Sequence, residues 1–225
     1  MRNIPDFSQY YASDYDDKIY KKRGLINYCM DKSHIMLEAP FTDKDFFDKV
    51  LEIGSGLGVH LKYINHRYNT YTMADLDDMV IKKLELKNYP ENIIIKKLEG
   101  EGLPFPDNYF DRLIASHVLE HIHHPEIALR EWNRVVKNCG IISIALPCDP
   151  GLAWRFGRIF SRKDSIKRGF IEYDLFMALE HINPINNLIS IIEYFFENKK
   201  IQYWPFKIKI TDINLFYIAN IVVEK

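Results

Sequence analysis

Three glycines at alternate positions, Gly54, Gly56 and Gly58 in VLEIGSGLGVH, directly follow an apolar run. Lacking a Cβ and tolerating φ > 0, they let a ligand lie against bare backbone and against the start of whatever follows. Carboxylates flank the turn: Glu52 two residues before it, and Asp75 at the end of the next apolar run. A dinucleotide fingerprint of the G-x-G-x-x-G type beginning at Gly54 would need glycine or alanine at position 59, where Val59 stands. The third glycine therefore comes one residue early for a nicotinamide dinucleotide.

A second group of residues could move protons. His117 and His121 bracket HVLEH, which has the H-x-x-E-H spacing of one class of zinc protease. That reading needs both histidines on one helical face with Glu120 as base, whereas the strand-like FDRLIAS feeds straight into the motif. Neutral imidazole accepts a proton near pH 7, so His117, His121 and, as an outside choice, His181 in LEHINP are candidate general bases. His121, His123 and His124 form a cluster that solvation of a helix start explains without a metal. Cys148 in LPCDP reads as a buried or edge thiol rather than a nucleophile. Between 154 and 168, Arg155, Arg158, Arg162, Lys163, Lys167 and Arg168 face the single acid Asp164. This stretch suits a solvated face, a clamp for an anionic substrate or, with Trp154, Phe156 and Phe160 interleaved, contact with a membrane surface.

These residues need strands and helices to hold them. FFDKVLEIG and YNTYTMADL read as strands with GVHLKYINHRY as the helix between, and DDMVIKKLELKNY as the next helix, Asp77 and Asp78 sitting in its first turn. NIIIKKLE, FDRLIASH and GIISIALP supply three more strands, and PEIALREWNRVVKN an amphipathic helix ending on a Cys139-Gly140 cap. After residue 147 comes an irregular stretch to about 185, then the helix INNLISIIEYFFEN and two closely spaced strands, expected to pair as an antiparallel hairpin. Alternating strands and helices imply a parallel sheet covered on both faces, with ligands at the carboxyl ends of the strands.

In this order the residues resemble the class I S-adenosylmethionine (SAM) dependent methyltransferases, in particular the methyltransferase type 11, UbiE-like small-molecule group. The resemblance rests on Glu52 followed by G-x-G-x-G, on Asp75 after the second strand, and on the ordered LPF, FD, LEH and RV signals up to Gly140. It covers residues 48–147. It implies an α/β Rossmann-like sandwich, a seven-stranded mostly parallel sheet with an antiparallel last strand. It also implies SAM as cofactor, with S-adenosylhomocysteine as product. Glu52 would orient the methionine ammonium and Asp75 would accept both ribose hydroxyls; Gly54, Ser55, Gly56, Gly58, Leu76, Gly100 and Ser116 would complete the cofactor site. Glu99 stands where the family usually has an Asp near the adenine, and Cys139-Gly140 where it has Gly-Gly.

The expected activity is methyl transfer to an oxygen or nitrogen of a small molecule, an anionic sugar or nucleotide-linked precursor being one candidate. Action on RNA or protein, and SAM binding without catalysis, are the alternatives. The 225 residues fit one domain, divided into an N-terminal helical cover (1–40) bearing Tyr10, Tyr11 and Tyr15, the SAM-binding core (48–147), a substrate-side insertion (148–185) and a C-terminal helix with hairpin strands (186–225). A net charge of −1 gives no global pull toward nucleic acid. Three cysteines without C-x-x-C spacing, no apolar leader and no membrane-length apolar run point to a soluble cytoplasmic protein.

Overall fold

Alternation of apolar side chains along the strands decides the layering. In β1 (Phe46–Ile53), Val50 faces one side of the sheet while Leu51 and Ile53 face the other; in β4 (Phe110–Ser116), Ile114 is opposed to Leu113 and Ala115. Val50 and Ile114 share a core with Tyr71 and Met73 of β2 (Arg67–Asp75), under α1 (Leu25–Glu38) and α2 (Asp78–Glu85). Leu51 and Leu113 pack with Ile142 and Ile144 of β5 (Val136–Pro147), under α3 (Pro125–Val135) and α6 (Ile185–Phe195). Trp132 of α3 is only 2% exposed and is the largest side chain buried in that second core. The computed structural model describes residues 24–100, 102–167 and 169–225, with Pro5 and Phe7 besides, so Tyr10, Tyr11 and Tyr15 lie outside the described residues.

With β3 (Ile93–Lys97), β6 (Lys199–Trp204) and β7 (Phe216–Val222) the sheet has seven strands in the order β3-β2-β1-β4-β5-β7-β6. Pairing is parallel from β3 to β5, while β7 runs antiparallel to both of its neighbours. The Rossmann-like sandwich and the closing hairpin are therefore present as expected. Strand order reverses between β1 and β4, which opens a crevice at their carboxyl ends. Asp77 caps α2, accepting from the Met79 N–H at 2.7 Å, and Asp78 pairs with Lys97 at 2.9 Å.

Three local expectations fail. Between β1 and β2 there is only a short 3-10 turn, His60–Tyr63, because β2 begins at Arg67 and leaves too little chain for a full helix. Cys139-Gly140 does not cap α3, which ends at Val135 and runs directly into β5. Instead the register jumps from Phe110 opposite Val136 to Arg112 opposite Ile141, so 137–140 bulge out. Gly140 is needed there, since a Cβ would stand 2.8 Å from the Asp111 carbonyl oxygen. The stretch expected to be irregular holds two helices, α4 (Leu152–Lys167) and α5 (Tyr173–Glu180).

Candidate active site

The glycine turn joins the end of β1 to the crevice. Gly54 and Gly58 have φ of +63° and +75°, where side chains are strained. A Cβ at Gly54 would meet Val118 Cγ2 at 2.5 Å, and one at Gly58 would meet Tyr89 Oη at 2.7 Å. The Gly56 N–H donates to Asp75 Oδ2 at 3.0 Å, and the Asp77 N–H to Oδ1 at 3.0 Å. Burial raises the Asp75 carboxyl against the pull of those two donors. Anchored by one N–H on each oxygen, the carboxylate keeps acceptor capacity on both, which suits a pair of vicinal hydroxyls. Glu52, 3% exposed, accepts from Tyr71 Oη at 2.9 Å. Burial first, then Glu52, hold the Tyr71 phenol well above its ordinary range.

Glu52, Ser55, Asp75, Leu76, Gly100 and Ser116 all line one cleft of about 1600 Å³. Glu99 is exposed and lies outside that lining. A SAM-like group fits this half of the cleft: the positive-φ turn would be filled by any Cβ at Gly54, and the buried Ser55 hydroxyl has no hydrogen-bond partner.

The three histidines meet on the other side. His117, itself at φ +59°, places Nε2 2.8 Å from Ser33 Oγ, whose own proton goes to the Met30 carbonyl at 2.7 Å. His117 Nε2–H is therefore the donor, leaving Nδ1 toward Glu120 Oε1 at 3.7 Å. His121 Nδ1 lies 2.9 Å from the Glu180 carbonyl oxygen and donates to it, leaving Nε2 3.8 Å from the same Glu120 oxygen. Two imidazole nitrogens thus face one carboxylate oxygen. Glu120 is 2% exposed and its Oε2 has no hydrogen-bond partner. Burial alone would raise its pKa, but His117, with His121 and His181 beyond it, holds it below the ordinary value. His181 stands edge-on to His121, ring centres 5.0 Å apart, with Nδ1 3.0 Å from Asp149 Oδ2. That nitrogen is an ion-pair neighbour of Asp149 without hydrogen-bond geometry. Among the described residues no group of three His, Cys, Asp or Glu side chains is spaced to hold a metal ion.

Behind His117 runs a buried polar chain that sequence reasoning missed. His34 Nδ1 bonds His60 Nδ1 at 2.8 Å, and His60 Nε2 donates to Glu38 Oε1 at 2.9 Å. Glu38 then takes both arms of Arg112 at 2.6 and 2.8 Å, and Arg112 reaches Ser143. Despite its burial Glu38 is held down to about 2 by His60 and Arg112. Burial lowers His60 more than Glu38 raises it, and burial, then His60, pushes His34 well down. Both rings are accordingly neutral, and both line the cleft. The spacing of His60, two residues past Gly58, was the one signal available; nothing links His34 to it before folding.

The acceptor half of the cleft is apolar, walled by Trp154, Phe156, Phe160, Phe176, Met177 and Phe216. Of the basic residues between 154 and 168 that are described, only Arg158 reaches the wall, 3.9 Å from Asp149; Arg168 lies outside the described residues. Cys148 is fully buried and burial pushes its thiol up to about 12, which leaves no thiolate to act as nucleophile.

Fold and cleft together are those of a Rossmann-like α/β domain with a ligand cleft at the carboxyl ends of its central strands. Residues 51–144 match the family described as a methyltransferase domain. Over 99 residues, 41% of this chain, the sequence is 32% identical to the ubiquinone/menaquinone biosynthesis C-methyltransferase UbiE of Shewanella sp. strain W3-18-1. The match spans 39% of that relative's length. Among solved structures, the N-methyltransferase NodS from Bradyrhizobium japonicum in complex with S-adenosyl-L-homocysteine superposes with a TM-score of 0.61 at 11% identity, covering 97% of each chain. PH0226 protein from Pyrococcus horikoshii gives 0.65 at 14% identity, covering 96% of this chain and 99% of that one. At such identities these two likenesses concern the fold.

Proposed function

We propose that the protein transfers the methyl group of SAM to a small, largely apolar acceptor whose reacting atom gives up a proton to the His117–Glu120–His121 cluster. When bound, SAM supplies an electrophilic methyl on a sulfonium, open to in-line displacement. The chain's own work is then to hold and to neutralise. Asp75 would grip the ribose hydroxyls, the Gly54–Gly58 backbone would carry the amino-acid portion, and Glu52 would sit beside its ammonium. Leu76 and Gly100 would border the adenine, a task that exposed Glu99 is poorly placed to share.

The observation that carries the reading is the convergence of His117 Nδ1 and His121 Nε2 on Glu120 Oε1. A proton arriving at either nitrogen makes an imidazolium beside a buried carboxylate, an attraction strengthened by the low local dielectric. Such a site favours acceptors that lose a proton as they are methylated, whether the atom is oxygen, nitrogen or an acidic carbon. The aromatic walls, and the single paired Arg158, support an apolar acceptor over the anionic sugar or nucleotide precursor expected from sequence. The relative named for quinone biosynthesis is in keeping with that choice.

The test begins with calorimetric titration of the purified chain with S-adenosylhomocysteine, with NAD as control. Methyl transfer from labelled SAM to a panel of phenols, quinols and amines follows. Micromolar binding of the homocysteine compound and turnover on an apolar member of the panel are expected. Binding without turnover on any acceptor would leave a SAM-binding regulator in place of an enzyme, and binding of NAD instead would overturn the cofactor.

A further inference from the structure

Helix α4 is turned the wrong way for a helix of a water-bathed domain. None of its sixteen residues is buried, and the exposed positions 152, 155, 156, 159, 160, 162, 163, 166 and 167 recur at helical spacing. That outward face carries Leu152, Phe156, Ile159, Phe160 and Ile166, with Leu152 and Phe156 each 64% exposed. Interleaved with them are Arg155, Lys163 and Lys167. An ordinary surface helix hides its apolar stripe and shows its polar one.

The segment between β6 and β7 repeats the pattern without a helix. Every residue from Pro205 to Ile210 is exposed, and the run Phe206-Lys207-Ile208-Lys209-Ile210 alternates apolar with cationic. It is held in this pose from inside. Fully buried Asn214 donates to the carbonyls of Ile208 and Ile210 at 2.9 and 2.8 Å and accepts from the Phe206 N–H at 2.9 Å. The two elements are joined, since the Ala153 N–H donates to the Asp212 carbonyl at 2.7 Å and a Cβ on Gly151 would strike the Thr211 carbonyl at 2.6 Å. Phe156 and Phe160 on one side and Phe206 on the other also line the cleft, so the surface is its rim.

We propose that this rim docks on an anionic lipid bilayer and that the acceptor enters the cleft from the membrane. Arg158 and Arg162 are taken by Asp149 and Asp174, but Arg155, Lys163, Lys167, Lys207 and Lys209 form no ion pair among the described residues. These five cations on a chain of net charge −1 are a local concentration, faced among the described residues of the two elements by Asp164 and Asp212. Aromatic and aliphatic side chains mixed with Lys and Arg match the interface between headgroups and acyl chains. Protein–protein contact cores instead exclude lysine. No described helix is long and apolar enough to cross a membrane.

Flotation of the full chain with phosphatidylcholine vesicles, with and without phosphatidylserine, reads docking directly and needs no methyl transfer. The wild type should float with the anionic vesicles and be released by salt. K207E/K209E should lose roughly tenfold or more in partition, each lost cation being worth about that of one surface lysine. I159S/I208S, exposed positions outside the cleft lining, should weaken it as well. Retained S-adenosylhomocysteine affinity in both variants shows that they fold. Failure of the wild type to float with either vesicle would overturn the proposal, as would equal flotation of K207E/K209E. So would a dimer in light scattering that I159S/I208S converts to monomer, since the rim would then be a contact between copies. Each outcome stands apart from the transferase reading, which the acceptor panel tests.

Discussion

At Asp75 two backbone N–H groups fix the carboxylate before any ligand arrives, which spares a ligand the cost of ordering it. Removing it in Asp75→Ala should weaken S-adenosylhomocysteine by roughly 10- to 100-fold, as expected for one or two charge-assisted hydrogen bonds. Calorimetry decides this, and an unchanged affinity would remove Asp75 from the site. Glu120 has a different task. Replacing it with Gln keeps the shape and removes the charge that stabilises a proton on His117 or His121. Turnover should then drop by about 10² or more while cofactor affinity holds. A proportional loss of binding and rate would make Glu120 a packing residue. Asp75 stood out in the sequence because its place after a strand is itself a signal. Glu120 did not, because HVLEH shows only that two histidines are near a glutamate, and the side-chain directions that join them come from the left-handed backbone at His117.

Elements differ in how they hold these groups. The glycine turn has no slack: Gly54→Ala puts a methyl into Val118 and strains a φ of +63°, so both stability and S-adenosylhomocysteine affinity should fall. A thermal shift measured with and without the compound separates the two losses, and a variant equal to wild type in both would mean that the turn adapts. Helix α1 is tied to the sheet through Glu38 and Arg112, both fully buried. Arg112→Met should cost about 3 to 5 kcal/mol by stranding the carboxylate, whereas Glu38→Gln with Arg112→Met should recover part of it. Urea denaturation of the single and double variants tests the coupling, and strictly additive losses would sink it. The strands and α3 were legible from apolar period because each packs a core. Helix α4 was not, since its apolar residues face outward and Gly157 interrupts them, so no inward stripe exists to read.

Across the whole molecule, buried ionisable groups make stability depend on acid. His66 is held down to about 4, chiefly by burial, and Glu38 down to about 2. Each binds its proton more weakly folded than unfolded, so each contributes stability that is present above its unfolded pKa and is lost as pH falls through the folded one. The window runs from about 6.5 to 4 for His66 and from about 4.3 to 2 for Glu38, each worth on the order of 3 kcal/mol. Urea midpoints should therefore decline steadily below pH 6.5. A flat profile down to pH 4 would show that His66 is not buried as a neutral ring, and His66→Phe should remove only part of the decline below pH 6.5, since His34 and His60 are also held down by burial. The sheet order carries a consequence of another kind. Strand β7, made after every other described strand, lies between β5 and β6 and is buried on both faces. Until Phe216–Val222 has left the ribosome, β5 offers an open edge and β6 has nothing to pair with. Assembly of the domain is thus timed by its final strand, and during synthesis the half-built sheet is the species that a chaperone would meet.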